Sequence, residues 1–153
     1  MALKDDIAIL SRVPVFAGLG EEHLRLLAFG AERLRVGDGQ VLYRQGGPAD
    51  CAFVVTRGQI RLSALNRNGS GEEPQGLAEP GAMLSELAMV MATERRFTAT
   101  AIGDSEVLRV TRALFHRMVE EYPDVGRMVE ARLRQKFSDM TASLAALADR
   151  FKS

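Results

Sequence analysis

From Ala31 to Val110 the chain is divided into short runs by turn residues at intervals of roughly 8–12 residues, the cadence of an all-β sandwich or barrel. The strands this cadence predicts are 32–36, 41–45, 52–57, 59–65, 96–102 and 106–111. Between them stand Gly37-Asp38-Gly39, Gly46-Gly47-Pro48, Arg57-Gly58 and the block from Asn66 to Gly71. The last block reads as a solvated hairpin loop, because Asn-Gly tolerates the positive φ angles of such turns.

Helical periodicity brackets this region. Ile7, Ile9, Leu10 and Val13 mark a short helix that stops at Pro14, and Leu24, Leu26, Leu27 and Phe29 mark a second over 21–29. After Thr111 the pattern is helical to the end, with a break at Tyr122-Pro123. The expected architecture is mainly β with flanking helices: residues 1–122 form a barrel with its leading helices, and 123–153 add a long helix to the same domain. On that last helix Leu133, Phe137, Met140, Leu144, Leu147 and Phe151 alternate steps of four and three, which places them on one apolar seam. The seam is read as a homodimer contact, although a helix packed within its own chain gives a similar stripe.

At 153 residues and 46% apolar composition the chain is sized for one folded domain with its own core. Twenty basic residues against twenty acidic ones cancel, which argues against nucleic acid or an anionic membrane as the main partner. The sole cysteine, Cys51, points to a reducing compartment and reads as a small core residue rather than a nucleophile. No apolar run approaches the roughly 20 residues of a membrane helix and the amino terminus has no targeting pattern, so a soluble cytoplasmic protein is expected.

Catalytic machinery is missing from the pattern. A metal-dependent cupin enzyme needs several ligands converging on one interior site, whereas His23 and His116, the two histidines, both fall on helices. The stretch Gly69-Ser70-Gly71-Glu72-Glu73-Pro74 breaks the dinucleotide-binding pattern at its last place. Neither an enzyme nor a bound cofactor is expected.

Residues 79–100 are chemically distinctive. Pro80-Gly81 makes a turn, and Ser85-Glu86-Leu87-Ala88-Met89 reads as one helical turn opened by a serine cap, whose free amides suit an anion. Arg95, taken as the start of a strand, is placed to aim its guanidinium at the same spot, an arrangement that fits one phosphate. Glu86 would repel a phosphate and is better matched to a sugar hydroxyl.

In this setting the sequence resembles the cyclic nucleotide-binding domain of catabolite activator proteins, cyclic-nucleotide-dependent kinases and gated channels. Val13-Pro14-Val15-Phe16-Ala17-Gly18-Leu19 followed by Glu21-Glu22-His23-Leu24 is similar to the family's opening helical motif, and residues 46–62 to its central strand pair. Residues 84–101 line up with its phosphate-binding cassette, where Phe-Gly-Glu-Leu-Ala precedes Pro-Arg-Ala-Ala-Thr at the separation of Glu86 and Arg95. The resemblance implies a jelly-roll barrel (double-stranded β-helix, cupin-like). It implies further that Arg95 pairs with a cyclic phosphate, Glu86 binds the ribose hydroxyl, and the amides of Leu87, Ala88 and Arg96 complete the anion site. The ligand implied is cAMP, or else cGMP.

Three residues depart from the family's pattern. Ser85 stands where glycine is usual and Arg96 where a small residue is, while Phe97, taken to share Arg95's interior face, either fills the core or stacks on a base. Nothing after the terminal helix forms a DNA-reading domain, so no direct DNA binding is expected. A stand-alone sensor acting through its dimer or an unidentified effector protein is one reading. The other is a fold that has lost its ligand and serves as a dimeric interaction module.

Overall fold

A computed structural model describes residues 2–152, with side-chain surroundings for 3–139. Helix α1 (Ala2–Leu10), a 3-10 turn (Pro14–Phe16) and α2 (Glu21–Gly30) lead into strands β1 (Glu32–Val36), β2 (Val41–Tyr43), β3 (Pro48–Ala49), β4 (Cys51–Leu65), β5 (Glu72–Ala78) and β6 (Met83–Leu84). A second 3-10 turn (Glu86–Met89), β7 (Thr93–Glu94), β8 (Thr98–Thr111), α3 (Arg112–Glu121) and α4 (Pro123–Lys152) complete the order. The strands pair antiparallel throughout. One sheet runs β1-β8-β4-β5, with β2 on β8 and β6 on β4, and β3 with β7 forms a separate ribbon. This is the mainly β jelly-roll with flanking helices that the sequence leads one to expect.

The two longest strands each merge a pair of expected ones. Segments 52–57 and 59–65 are one strand, β4, and 96–102 and 106–111 are parts of β8, which starts at Thr98. The intervening glycines are not turns between strands but corners within them. The β4–β8 register shifts on both sides of Arg57, and Gly58 takes φ +76°, so the chain kinks while remaining paired. A Cβ at Gly58 would lie 2.3 Å from Ser105 Oγ and 2.8 Å from the Asp104 carbonyl, so only glycine fits that corner. Strand β2 stops at Tyr43 instead of Gln45, and β5 was not expected at all. Its sequence, Glu72-Glu73-Pro74-Gln75-Gly76-Leu77-Ala78, lacks apolar alternation because it is an edge strand exposed up to Ala78 and held by pairing with β4.

The run Cys51-Ala52-Phe53-Val54-Val55 is wholly buried because β4 has core on both faces. Cys51, Phe53 and Val55 join Ile60, Leu84 and Val107 inside the barrel, whereas Ala52 and Val54 pack with Leu10, Phe16, Leu27, Met118 and Leu133 under the helices. Cys51 is thus a core residue.

Arg33 of β1 joins α1 to the barrel by hydrogen bonds to both the Asp6 carboxylate and the Glu106 carboxylate of β8. Thr56 Oγ1 donates to the same Glu106 at 2.7 Å. Burial raises Asp6 above its usual range by more than Arg33 lowers it. Burial also pushes Glu106 upward, but the bonds from Thr56 and Arg33 outweigh it and leave that carboxyl below the ordinary value.

Helix α3 is capped by Thr111, which accepts from the Leu114 amide at 3.1 Å, and α4 opens with Pro123, whose missing N–H costs nothing at a first turn. Gly126 lets the two helices nest, since a Cβ there would come within 2.6 Å of Val119. The expected dimer seam begins inside the molecule. Leu133 is fully buried in the chain's own core and is a correction to that reading, because the barrel-side helices already cover it. Phe137 is 43% exposed, while Met140, Leu144, Leu147 and Phe151 lie outside the residues whose side chains are described.

Candidate functional site

A cavity of about 290 Å³ opens between the barrel and α4. Tyr43 of β2, Leu62 of β4, Met83 and Leu84 of β6, and Ser85, Glu86 and Leu87 at the 3-10 turn line it. Thr93, Glu94, Arg96 and Phe97 also line it, as do Lys136 and Phe137 of α4. Six of the residues picked out from sequence thus share one cavity: Ser85, Glu86, Leu87, Arg96, Phe97 and Phe137.

Ser85 occupies the cap position of the turn, but not as expected. Its side chain makes no capping bond, and its backbone is left-handed (φ 60°, ψ 42°), the one positive-φ residue other than glycine among the described residues. Glycine's usual presence in the family follows from this geometry, since a Cβ is disfavoured there by about 1–2 kcal/mol. Both Ser85 and Tyr43 line the cavity. An expected result follows: Ser85→Gly relieves the backbone, whereas Ser85→Ala keeps the strain. Urea denaturation should place the glycine variant above the alanine variant by about 1–2 kcal/mol.

The amide expected from Ala88 is already engaged, donating to the Ser85 carbonyl at 3.0 Å, so it is not available to an anion in this conformation. Glu86 pairs with Lys136, its Oε1 2.6 Å from Nζ, with 17% of the glutamate side chain exposed. Arg112, the first residue of α3, binds the other end of the turn: Nε donates to the Ala88 carbonyl at 3.0 Å and Nη2 to the Met91 carbonyl at 3.2 Å. The turn is therefore tied to both carboxy-terminal helices.

Arg95 departs most from expectation. It does not begin a strand but lies between β7 and β8, its amide donating to the Gly47 carbonyl and its carbonyl accepting from Gly46, both at 2.8 Å. The guanidinium, 6% exposed as a residue, turns inward: Nη1 donates to the Cys51 carbonyl at 2.9 Å and Nη2 to Cys51 Sγ at 3.4 Å. It lies 4.5 Å from the Tyr43 ring centroid and 5.3 Å from that of Phe53, with Asp50 at 3.9 Å. Arg95 is absent from the cavity wall, whereas Tyr43 is part of it. Burial raises the Tyr43 phenol above its usual range, with Ser85 and Arg95 pulling the other way, so the ring is neutral at physiological pH.

Phe97 is half-buried rather than sharing Arg95's interior face, because residues 95–97 are not in a strand and two-residue alternation does not govern them. It lines the cavity without filling it. Arg96 is exposed, lines the same cavity and lies over the Phe97 ring at 5.6 Å. Sequence reasoning missed Tyr43 and Lys136. Tyr43 follows Val41-Leu42 in a strand too short to show alternation, and Lys136 meets a carboxylate 50 positions away, which no local pattern can reveal. No group of three or more His, Cys, Asp or Glu among the described residues is placed to hold a metal, and no described helix is long and apolar enough to cross a membrane.

Comparison with known proteins bears on the fold. The family model for the cyclic nucleotide-binding domain matches residues 33–122. A cyclic nucleotide-binding-like protein from Brucella abortus is 41% identical, with a TM-score of 0.68, covering 76% of this chain and 98% of that one. The catabolite activator protein of Thermus thermophilus is 25% identical, with a TM-score of 0.74, over 88% of this chain and 63% of that one. The regulatory domain of Toxoplasma gondii PKA, solved with cAMP, is 23% identical, with a TM-score of 0.70, over 78% of this chain and 45% of its own. Lysophospholipase nte1 of Aspergillus fumigatus is 29% identical over 134 residues, 88% of this chain, and the chain spans 9% of that protein's length.

Proposed function

The chain belongs to the cyclic nucleotide-binding domain family, and from that premise we propose that it is a non-catalytic regulatory module that senses cAMP or cGMP. The observation that carries this reading is the open cavity in which the turn from Ser85 to Leu87, Arg96, Phe97 and the α4 residues Lys136 and Phe137 converge. Its 290 Å³ is slightly under the usual range of about 300–1,000 Å³ for small-molecule sites. A cyclic nucleotide entering there would present its diester to the turn and, once the guanidinium leaves the Cys51 carbonyl, to Arg95, its ribose hydroxyl to Glu86 and its base to Phe97 and Phe137.

Lys136 is paired with Glu86, the carboxylate to which this reading gives the ribose. Binding therefore exchanges an ion pair with α4 for a hydrogen bond to ligand, and it shifts the helix only by the difference in affinity between the two arrangements. Output would pass through α4, where Phe137 is exposed and the sequence spacing of Met140, Leu144, Leu147 and Phe151 favours a second copy or an effector protein as partner. Isothermal calorimetry and thermal shift with cAMP and cGMP test the proposal. Saturable heat and a raised Tm are expected, and silence from both nucleotides at millimolar concentration overturns it.

A second reading, an interaction module without ligand, is favoured by one observation: Arg95 and Glu86 are both satisfied by partners within the chain. It expects assembly indifferent to nucleotide. Size-exclusion chromatography with and without cAMP separates the two, since the sensor reading requires the elution or α4 exposure to respond.

A further inference from the structure

Glu86 and Lys136 make an unequal pair. Oε1 lies 2.6 Å from Nζ, yet 59% of the lysine side chain is in water against 17% of the glutamate's, so the carboxylate depends on its partner far more than the ammonium does. Among the described residues no other cation is paired with Glu86. Both residues line the cavity, where Lys136 stands about one helical turn beyond the buried Leu133 and next to the exposed Phe137. At about 290 Å³ the cavity is slightly smaller than small-molecule sites usually are. Withdrawing the lysine would remove a lining side chain and free a carboxylate oxygen for a neutral donor.

We propose that this pair is a latch keyed to one group of the ligand: the ribose 2′-hydroxyl takes Glu86 from Lys136 and so releases α4, whereas the diester and the base bind without disturbing it. This rests on the cyclic-nucleotide reading above. The exchange is favourable because a hydroxyl donating to a carboxylate gains a charge-assisted bond, while a largely hydrated ammonium gives up little on returning to water. Apparent affinity for a ligand with that hydroxyl is its intrinsic affinity reduced by the fraction of molecules with the latch open, and a ligand without the hydroxyl escapes the reduction. A 2′-deoxy nucleotide consequently occupies the cavity and leaves α4 where it is.

Calorimetry with cAMP and 2′-deoxy-cAMP, on wild type and Lys136→Met, isolates the latch; cGMP and its 2′-deoxy form take their place if cGMP is the nucleotide bound. Removing the lysine's charge alters the attraction for the diester in both nucleotides alike, so the readout is the ratio of the two dissociation constants rather than either value. The preference for the 2′-hydroxyl should rise about two- to fivefold in Lys136→Met and in Lys136→Gln, the range that a partly exposed ion pair supplies. Arg134→Met, which breaks a pair with Glu130 on the same helix, should leave it at the wild-type value. Amide hydrogen exchange over 133–139 should rise when wild type is saturated with cAMP and stay at its unliganded level with 2′-deoxy-cAMP. An unchanged ratio in both Lys136 variants, or equal exchange with the two nucleotides, overturns the latch and leaves the sensor standing. Silence from cAMP and cGMP on wild type overturns the sensor and the latch with it.

Discussion

Arg95→Ala is expected to reduce cyclic-nucleotide affinity by two orders of magnitude or more. Two charge-assisted hydrogen bonds from a guanidinium to a diester contribute about 1.5–3 kcal/mol each, and about 1.4 kcal/mol is a factor of ten. The same change removes the donors to Cys51 and the cation over Tyr43, so the free protein should also lose about 1–3 kcal/mol of stability. Calorimetry must therefore be paired with circular dichroism at low temperature to show that the variant is folded. Arg95→Lys keeps the charge but not the planar fork, and it should recover only part of the affinity. If Arg95→Ala binds as well as wild type, the diester is held by Arg96 and Lys136 instead, and the role assigned to Arg95 fails.

Arg33→Met is expected to give the largest loss of stability, about 3 kcal/mol at pH 7, because it leaves two carboxylates buried without their cation. Breaking a buried ion pair costs about 3–5 kcal/mol, and the low end applies here because 35% of the Arg33 side chain remains in water. The pH dependence distinguishes this cause from lost packing. In the native chain Glu106 lies below its ordinary value, so its contribution is complete above that value and fades as pH falls through the folded one. Asp6 lies above its ordinary value, so it contributes in the opposite sense, penalising the fold once pH rises past its folded value. The two partly cancel, and the native slope at acid pH from this pair should be shallow. Without Arg33 both carboxyls move upward, so denaturation at pH 7 and pH 4.5 should show the variant recovering part of its deficit at the lower pH. An equal deficit at both values sinks the electrostatic account.

Much of the architecture is legible in the sequence because it depends on local chemistry. Glu32–Val36 is a strand as expected, and the break at Tyr122-Pro123 falls between α3 and α4. Errors cluster where tertiary pairing overrides a local signal. Gly58 punctuates the sequence like a turn, yet pairing with β8 carries β4 through it. Strand β5 carries no pattern because its residues face water and its neighbour alone makes it a strand. The cavity was legible as a set of residues around Ser85, Glu86 and Phe97, whereas its wiring was not. Which cation faces Glu86, and which way Arg95 turns, depend on side chains brought together from β2, β4 and α4.

The nested crossing at Gly126 has a mechanical consequence. With Val119 filling the notch, α4 packs closely on α3, whose leading residue, Arg112, grips the Ala88 and Met91 carbonyls. Thirty residues of helix make an arm of roughly 45 Å at 1.5 Å per residue. A rotation of about 5° at its root thus sweeps the far tip through roughly 4 Å on that geometry, a lever that amplifies a displacement smaller than one atom's width into one that a neighbouring molecule can read.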